Sequence, residues 1–337
     1  MFKNKCFGFC LLLIFGFISL SSLYCQPKTI TILHTNDMHA SFLSHEAGWV
    51  RTDPKPMVGG FLELNRLVDS LRKAKTLTLL LDGGDVMTGN PIAEMVYQGA
   101  YGGALFEMMN MIGYEAWTIG NHDMDISQDN LKKLVQIAKF PTLSANLVDT
   151  LNNFPMGNKD YVIVNKDGLR VGIIGIMSSG LFELTNTNNL KGLKVLHPAS
   201  TLQKIIDKID GETDLIIALT HEGVDDDSLL ATQVHNLDVI IGAHSHTRLK
   251  IPKNINGVLV CQAGSYCENL GELELTVEND KAIASTEKLH TLWTQANYPE
   301  SDLSKLIEEY KIKIDKDYKE VIGKAEVDLR RSRSGES

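Results

Sequence analysis

From Thr29 onward, short apolar runs rich in β-branched residues alternate with amphipathic stretches, and this alternation constrains the fold more than any other feature of the chain. Runs of that kind make strands, and the stretches between them carry helical spacing. The expected strands cover residues 29–33, 76–81, 116–119, 171–176, 215–219 and 239–241. Several lack polar alternation, as strands buried on both faces do. Between the first two runs, Phe61, Leu64, Leu67, Val68 and Leu71 recur at helical spacing, and Leu202, Ile205, Ile206 and Ile209 do so later. The class is therefore α/β, with sheets flanked by helices.

Residues able to do chemistry stand just after these runs. Asp37 and His39 follow the first, Asp82 and Asp85 the second, and Asn121, His122, Asp123 and Asp125 the third; His221 follows the fifth, and His244 and His246 the sixth. Ligands of open α/β sheets bind outside the carboxyl ends of the strands. Five polar clusters at five strand ends are therefore expected to converge on one edge of the sheet, where chance would rarely bring them.

A chain of 337 residues with 43% hydrophobic content can bury a large core. Its net charge of −9, with no long basic run, argues against a partner with a nucleic-acid backbone. An anionic substrate would need a local positive site. Lys3 and Lys5 precede an uncharged apolar run over 7–20, which reads as an export signal ending near Cys25. An uncleaved membrane anchor and a lipid on Cys25 are the rival readings. In each case the folded part works outside the cytoplasm, in a periplasm or the extracellular space. Cys6, Cys10 and Cys25 belong to that leader, leaving Cys261 and Cys267, which can form one bridge or remain as two buried thiols.

Divalent metals of the hard or borderline kind take carboxylate oxygen and imidazole nitrogen, and a pair of them needs one ligand able to bridge. The polar clusters supply that set. Asp37 and His39 can aim at one metal, Asp85 in its Gly-rich turn can bridge, and Asn121, His221, His244 and His246 can complete both shells. Two divalent cations against two carboxylates leave about +2, suited to a phosphate dianion. A single His at a strand end is more often a satisfied structural residue; the joint pattern reverses that reading. His45, His197, His235 and His290 read as surface or loop histidines, and Asp225, Asp226 and Asp227 as a solvated loop or helix start.

The strings 33–39 (Leu-His-Thr-Asn-Asp-Met-His), 82–85 (Asp-Gly-Gly-Asp), 120–125 (Gly-Asn-His-Asp-Met-Asp), 220–223 (Thr-His-Glu-Gly) and 242–246 (Gly-Ala-His-Ser-His) resemble, in order, the five motifs of the 5′-nucleotidase family of calcineurin-like metallophosphoesterases. The similarity runs from about Thr29 to the end of the chain. It implies that Asp37, His39, Asp85 and His246 hold one metal and that Asp85, Asn121, His221 and His244 hold the other. It further implies that His122 and Asp125 form a catalytic dyad, with Asn121 and His122 touching the substrate phosphate. The implied metals are zinc or manganese, with cobalt or iron as other divalent candidates. The implied reaction is hydrolysis of phosphate monoesters, nucleoside 5′-monophosphates first, by a hydroxide held on the metals. Nucleotide sugars and cyclic nucleotides are alternative substrates, and a non-catalytic metal- or nucleotide-binding surface protein is the reading from outside enzymology. This chain departs from the family's pattern at Asp123 and Met124, neither a ligand position, and carries Glu63 close to where an Arg often stands, which is expected to affect packing or product contacts rather than the metals.

The catalytic domain is expected to cover 26–296, and 297–337 to form a connector helix and tail in which Leu303, Leu306, Ile307, Tyr310 and Ile314 make one stripe. Proteins resembling this one continue into a second, base-binding domain. The ending from Arg333 to Ser337 resembles the approach to it, so a separate chain carrying that domain is an expected partner.

Overall fold

The computed structural model describes residues 27–318, 320–324 and 326. The expected export segment 1–25 and the polar ending 330–337 lie outside the described residues. Two six-stranded sheets form the frame. The first contains β1 (Lys28–Thr35), β2 (Thr78–Asp82), β3 (Ala116–Thr118) and β4 (Thr142–Leu143). The second contains β5 (Tyr161–Lys166), β6 (Leu169–Met177), β7 (Leu215–His221), β8 (Val239–Ile241), β9 (Lys253–Ile255) and β10 (Val258–Cys261). The chain then returns to the first sheet with β11 (Asn269–Glu278) and β12 (Lys281–Thr291). Spatial order is β12-β11-β1-β2-β3-β4 in one sheet and β5-β6-β7-β8-β10-β9 in the other. Each has a parallel centre, β1 to β4 and β6-β7-β8-β10, with antiparallel strands outside it.

The faces of the strands explain their unbroken apolar runs. Leu79 and Leu81 point into a layer shared with Ile217, Leu219 and Ile241 of the second sheet. Leu80, between them, points the other way, into a core with the helices Phe61–Ala74 and Gly103–Ile112. On the second sheet, Ile216 and Ala218 face the helices Pro198–Ile209 and Val224–Gln233. The result is four layers: helices, sheet, sheet, helices. The single sheet edge expected from the sequence is thus the paired edges of two sheets. An apolar run without alternation reports burial on both faces and does not say whether the second cover is a helix or another sheet.

Helix Asp302–Tyr318, expected as a connector, buries Leu303, Leu306, Ile307 and Tyr310 in the core that holds Phe106 and Trp117. Glu63 is buried and accepts hydrogen bonds from Arg66 and from the Tyr298 hydroxyl. Cys261 and Cys267 are both free and buried. His290 is no surface histidine: it lies within β12, mostly buried, with Nε2 2.6 Å from Glu272.

The buried stripe makes the last helix part of the cooperative unit. Ile307→Ala should cost about 2–5 kcal/mol of stability. Ile312→Ala, exposed on the same helix, should stay within about 0.5 kcal/mol. Urea unfolding midpoints measure both, and equal small effects would detach this helix from the core.

Candidate functional site

Every candidate side chain sits where a parallel strand ends. Asp37 and His39 leave β1, Asp85 leaves β2, Asn121 and His122 leave β3, His221 closes β7, and His244 and His246 follow β8. They gather in two groups. Ligand atoms of Asp37, His39 and His246 lie within 4.8 Å of one another, and those of Asp85, His221 and His244 do the same. In the first group, His39 Nε2 is 3.0 Å from His246 Nε2, which is 3.5 Å from Asp37 Oδ1. In the second, His221 Nε2 is 3.2 Å from both Asp85 Oδ2 and Asn121 Oδ1. Asn121 thus stands beside the second group. Asp85 belongs to the second group in this geometry; a bridge from it to the first is not among the close contacts.

Two of the imidazoles have their far nitrogen tied to backbone carbonyls: His39 Nδ1 to Thr88 O at 3.1 Å and His221 Nδ1 to Gly83 O at 2.8 Å. Such a bond orients the ring and leaves Nε2 free to ligate. Nitrogen and oxygen donors in two adjacent three-membered groups fit a pair of borderline divalent cations. The donor loops are tightly bent. Asp37, His39, Asp85, His244 and His246 all have positive φ, between 47° and 71°. Non-glycine residues rarely adopt that conformation, and it persists only where surrounding structure imposes it.

The imposing residues were not picked out as site residues by sequence reasoning. Asp123, set aside there as no ligand, is buried and accepts backbone N–H bonds from Asp85, Val86, Met87 and Gly120 at 2.8–3.1 Å, holding the Asp85 turn shut. Asn36 donates to Asp37 Oδ2 and to Gly264 O, both at 2.6 Å, and accepts from Ala263 N, tying the first group to the second sheet. Gln262 donates to Ala243 O and accepts from Ser245 and Thr247, bracing the loop of His244 and His246. Asp227, in the expected helix start, is buried and accepts from Thr220 Oγ1 at 2.5 Å. The only sequence signal for these residues is their place inside or beside the motif strings.

His122 stands beside the first group, its ring 5.2 Å from that of His39 and about a third exposed. Its Nδ1 is 2.6 Å from Asp125 Oδ2, which also accepts from Thr88 Oγ1 at 2.8 Å. The hydrogen bond to Asp125 raises the His122 pKa above the ordinary imidazole value. Other groups respond to burial and to one another. Burial raises Asp37 to about 7 and lowers His246 to about 4; it also lowers His39 and His244. Burial works against charge on His221 and Asp85 too, but their mutual attraction prevails, raising His221 to about 10 and holding Asp85 well below the usual carboxylate range.

Residues 30–248 match the family model described as calcineurin-like phosphoesterase, and the chain belongs to that family, which is built around a dimetal site. Its relatives are 5′-nucleotidases. The chain is 34% identical over 233 residues to the 5′-nucleotidase of Bos taurus, covering 66% of this chain and 39% of the relative. It is 29% identical over 327 residues to that of Homo sapiens, covering 89% and 55%. Among solved structures, the 5′-nucleotidase precursor of Thermus thermophilus superposes with a TM-score of 0.75 at 28% identity, covering 85% of this chain and 59% of that one. This chain spans about half the length of the curated relatives it matches.

Charge in the metal-free protein bears on loading. His221, with a pKa of about 10, holds a proton near neutral pH, and a metal ligand must lose it. Titrating divalent metal into metal-free protein should therefore release at least one proton. The calorimetric heat should vary with the ionisation enthalpy of the buffer. Heats independent of buffer would mean that His221 is already neutral in the metal-free protein.

Proposed function

We propose that this chain hydrolyses phosphate monoesters, with nucleoside 5′-monophosphates as the foremost substrates. We assign Asp37, His39, Asp85 and His246 to one divalent cation and Asp85, Asn121, His221 and His244 to the other. The observation that carries the reading is the joint placement of two adjacent donor groups with an imidazole–carboxylate pair at their side. Zinc or manganese suits these nitrogen and oxygen donors, with cobalt or iron as substitutes. The site works outside the cytoplasm, a reading supported by the basic and apolar first 25 residues.

Bound divalent cations supply Lewis acidity at the phosphoryl oxygens and lower the pKa of water. The protein's own groups do the rest. Asp37 and Asp85 offer only two formal negative charges among seven donors, so the loaded site keeps about +2 and attracts a phosphate dianion despite the overall −9. Asn121 presents its side-chain amide to a phosphoryl oxygen. His122, with Nδ1 held by Asp125, presents Nε2 toward the substrate, where it stabilises the phosphoryl charge and gives its proton to the departing alkoxide. Thr88 fixes Asp125 by a second hydrogen bond. No covalent intermediate is required of the protein.

Two variants separate the roles. Asp85→Asn should lose metal and activity together. His122→Ala should retain metal and lose about two to four orders of magnitude in kcat. Elemental analysis beside phosphatase assays reads both, and metal loss in the His122 variant would refute its place in a dyad.

Because Asp125 raises the His122 pKa, the protonated donor persists to higher pH than an isolated imidazole would allow. Activity should fall as pH rises through that raised value. In Asp125→Asn the alkaline limb of the kcat profile should move to lower pH; an unmoved limb assigns the limb to another group.

A further inference from the structure

Another group of donors lies between the two sheets, and none of its members belongs to the dimetal set. His34 on β1, Glu287 on β12 and Cys261 on β10 bring one ligand atom each within 4.8 Å of one another. Their burial is nearly complete, with the side chains of His34 and Glu287 exposed by 0% and 2% and Cys261 by 1%. The surroundings are apolar: Ile32, Leu273 and Ile241 belong to the same layer as Cys261. A carboxylate there needs a positive partner. Among the described ion pairs, Glu287 meets only His34, with Nε2 3.3 Å from Oε1, while its other oxygen lies 3.7 Å from Cys261 Sγ.

Those separations fit a metal site better than a charge-assisted ion pair. A charge-assisted N–H···O bond is about 2.7–2.9 Å long, shorter than the His34–Glu287 distance. Zinc bonds of about 2.0–2.3 Å to N, O and S, set tetrahedrally, give ligand–ligand edges of about 3.4 Å for N–O and about 3.6 Å for S–O. The observed 3.3 and 3.7 Å fall on those edges. The dimetal groups show the same signature, at 3.0, 3.2 and 3.5 Å between ligand atoms. Charge speaks against an ion pair. His34 Nδ1 is buried without a partner, so an imidazolium would strand a charged N–H there, whereas a ring held through Nε2 by a metal would strand only an uncharged one. A dication facing one thiolate and one carboxylate leaves the group neutral inside the apolar layer. The niche is also shaped for the ring: Gly271 opposes His34 across the strands, and a Cβ at 271 would run into the imidazole.

We propose that His34, Cys261 and Glu287 form a further metal site, closed to solvent and structural in role, for a borderline divalent cation of the zinc type. Binding exchanges the Cys261 thiol proton for the cation, and the proton leaves to solvent. Occupancy would pin β1 and β12 of the first sheet to β10 of the second, close behind the strand that delivers Asp37.

The test uses the full chain refolded with cobalt(II) as probe. The wild type should show a near-ultraviolet thiolate-to-cobalt charge-transfer band, which the dimetal set cannot produce because it contains no cysteine. Cys267→Ser should keep the band. Cys261→Ser should lose it and bind one metal equivalent fewer by elemental analysis. Glu287→Gln, which preserves shape and leaves every cysteine in place, should weaken the cobalt binding that the band reports at least tenfold, and it serves where Cys261→Ser does not fold. No band in the wild type, a band surviving in Cys261→Ser, or unchanged cobalt affinity in Glu287→Gln would each overturn the site and leave a plain buried hydrogen-bonded cluster. Because the band reports thiolate alone, this outcome is separable from failure of the phosphatase reading, which is seen in activity and in the other two equivalents.

Discussion

The structure depends on how two buried carboxylates share one cleft with four imidazoles. Asp37 and Asp85 are both almost inaccessible, and each disfavours ionisation of the other. Without cations the protein settles the conflict unevenly. Asp85 stays ionised against a protonated His221, while Asp37 is pushed up to about 7. The two divalent cations proposed for the site would supply that positive charge and take His221 as a neutral ligand.

Holding that imbalance in place requires rigid loops. Five donors sit in left-handed backbone conformations that would relax if the turns were free. The turn of Asp85 is locked by N–H bonds to Asp123, and its neighbours tolerate no side chain. A Cβ on Gly84, at φ 95°, would stand 2.7 Å from Gly120 N, and one on Gly120 would strike the Asp85 carboxylate. Asp123 carries its own cost, being raised to about 7 by burial and by Asp85. Its backbone donors offset that cost only in part. Strain and buried charge are concentrated here, and the apolar layers on both sides of the sheets sustain them.

The two sheets divide the labour. The first contributes Asp37, His39, Asp85, Asn121 and the His122–Asp125 pair; the second contributes His221, His244 and His246. Contacts such as Asn36 with Ala263 and Gly264, or His244 N with Asp37, cross from one to the other. Geometry at the two donor groups is thereby coupled to the packing between sheets, the layer in which His34, Cys261 and Glu287 lie.

Much of this was legible in the residues alone. The β-branched runs located β1, β2, β3, β6, β7 and β8 to within about two residues, because strands buried on both faces leave an apolar record; the other six strands of the two sheets were not picked out. The candidate donors were legible too, since chemistry at strand ends needs Asp, His and Asn in short clusters, and the order of five such clusters identified the family. Tertiary structure decided the remainder. Whether β2 and β7 share a sheet cannot be read from apolar runs, which are the same against a helix or a second sheet. Asp123 looked like a neutral substitution because its task is to collect N–H groups from a distant turn, as in its bond from Val86, 37 residues away in the chain. His34 and Glu287 stand 253 residues apart, and no spacing rule connects them to each other or to Cys261. Local pattern records which face of an element is buried, and only the packing of distant elements records what each buried polar atom meets there.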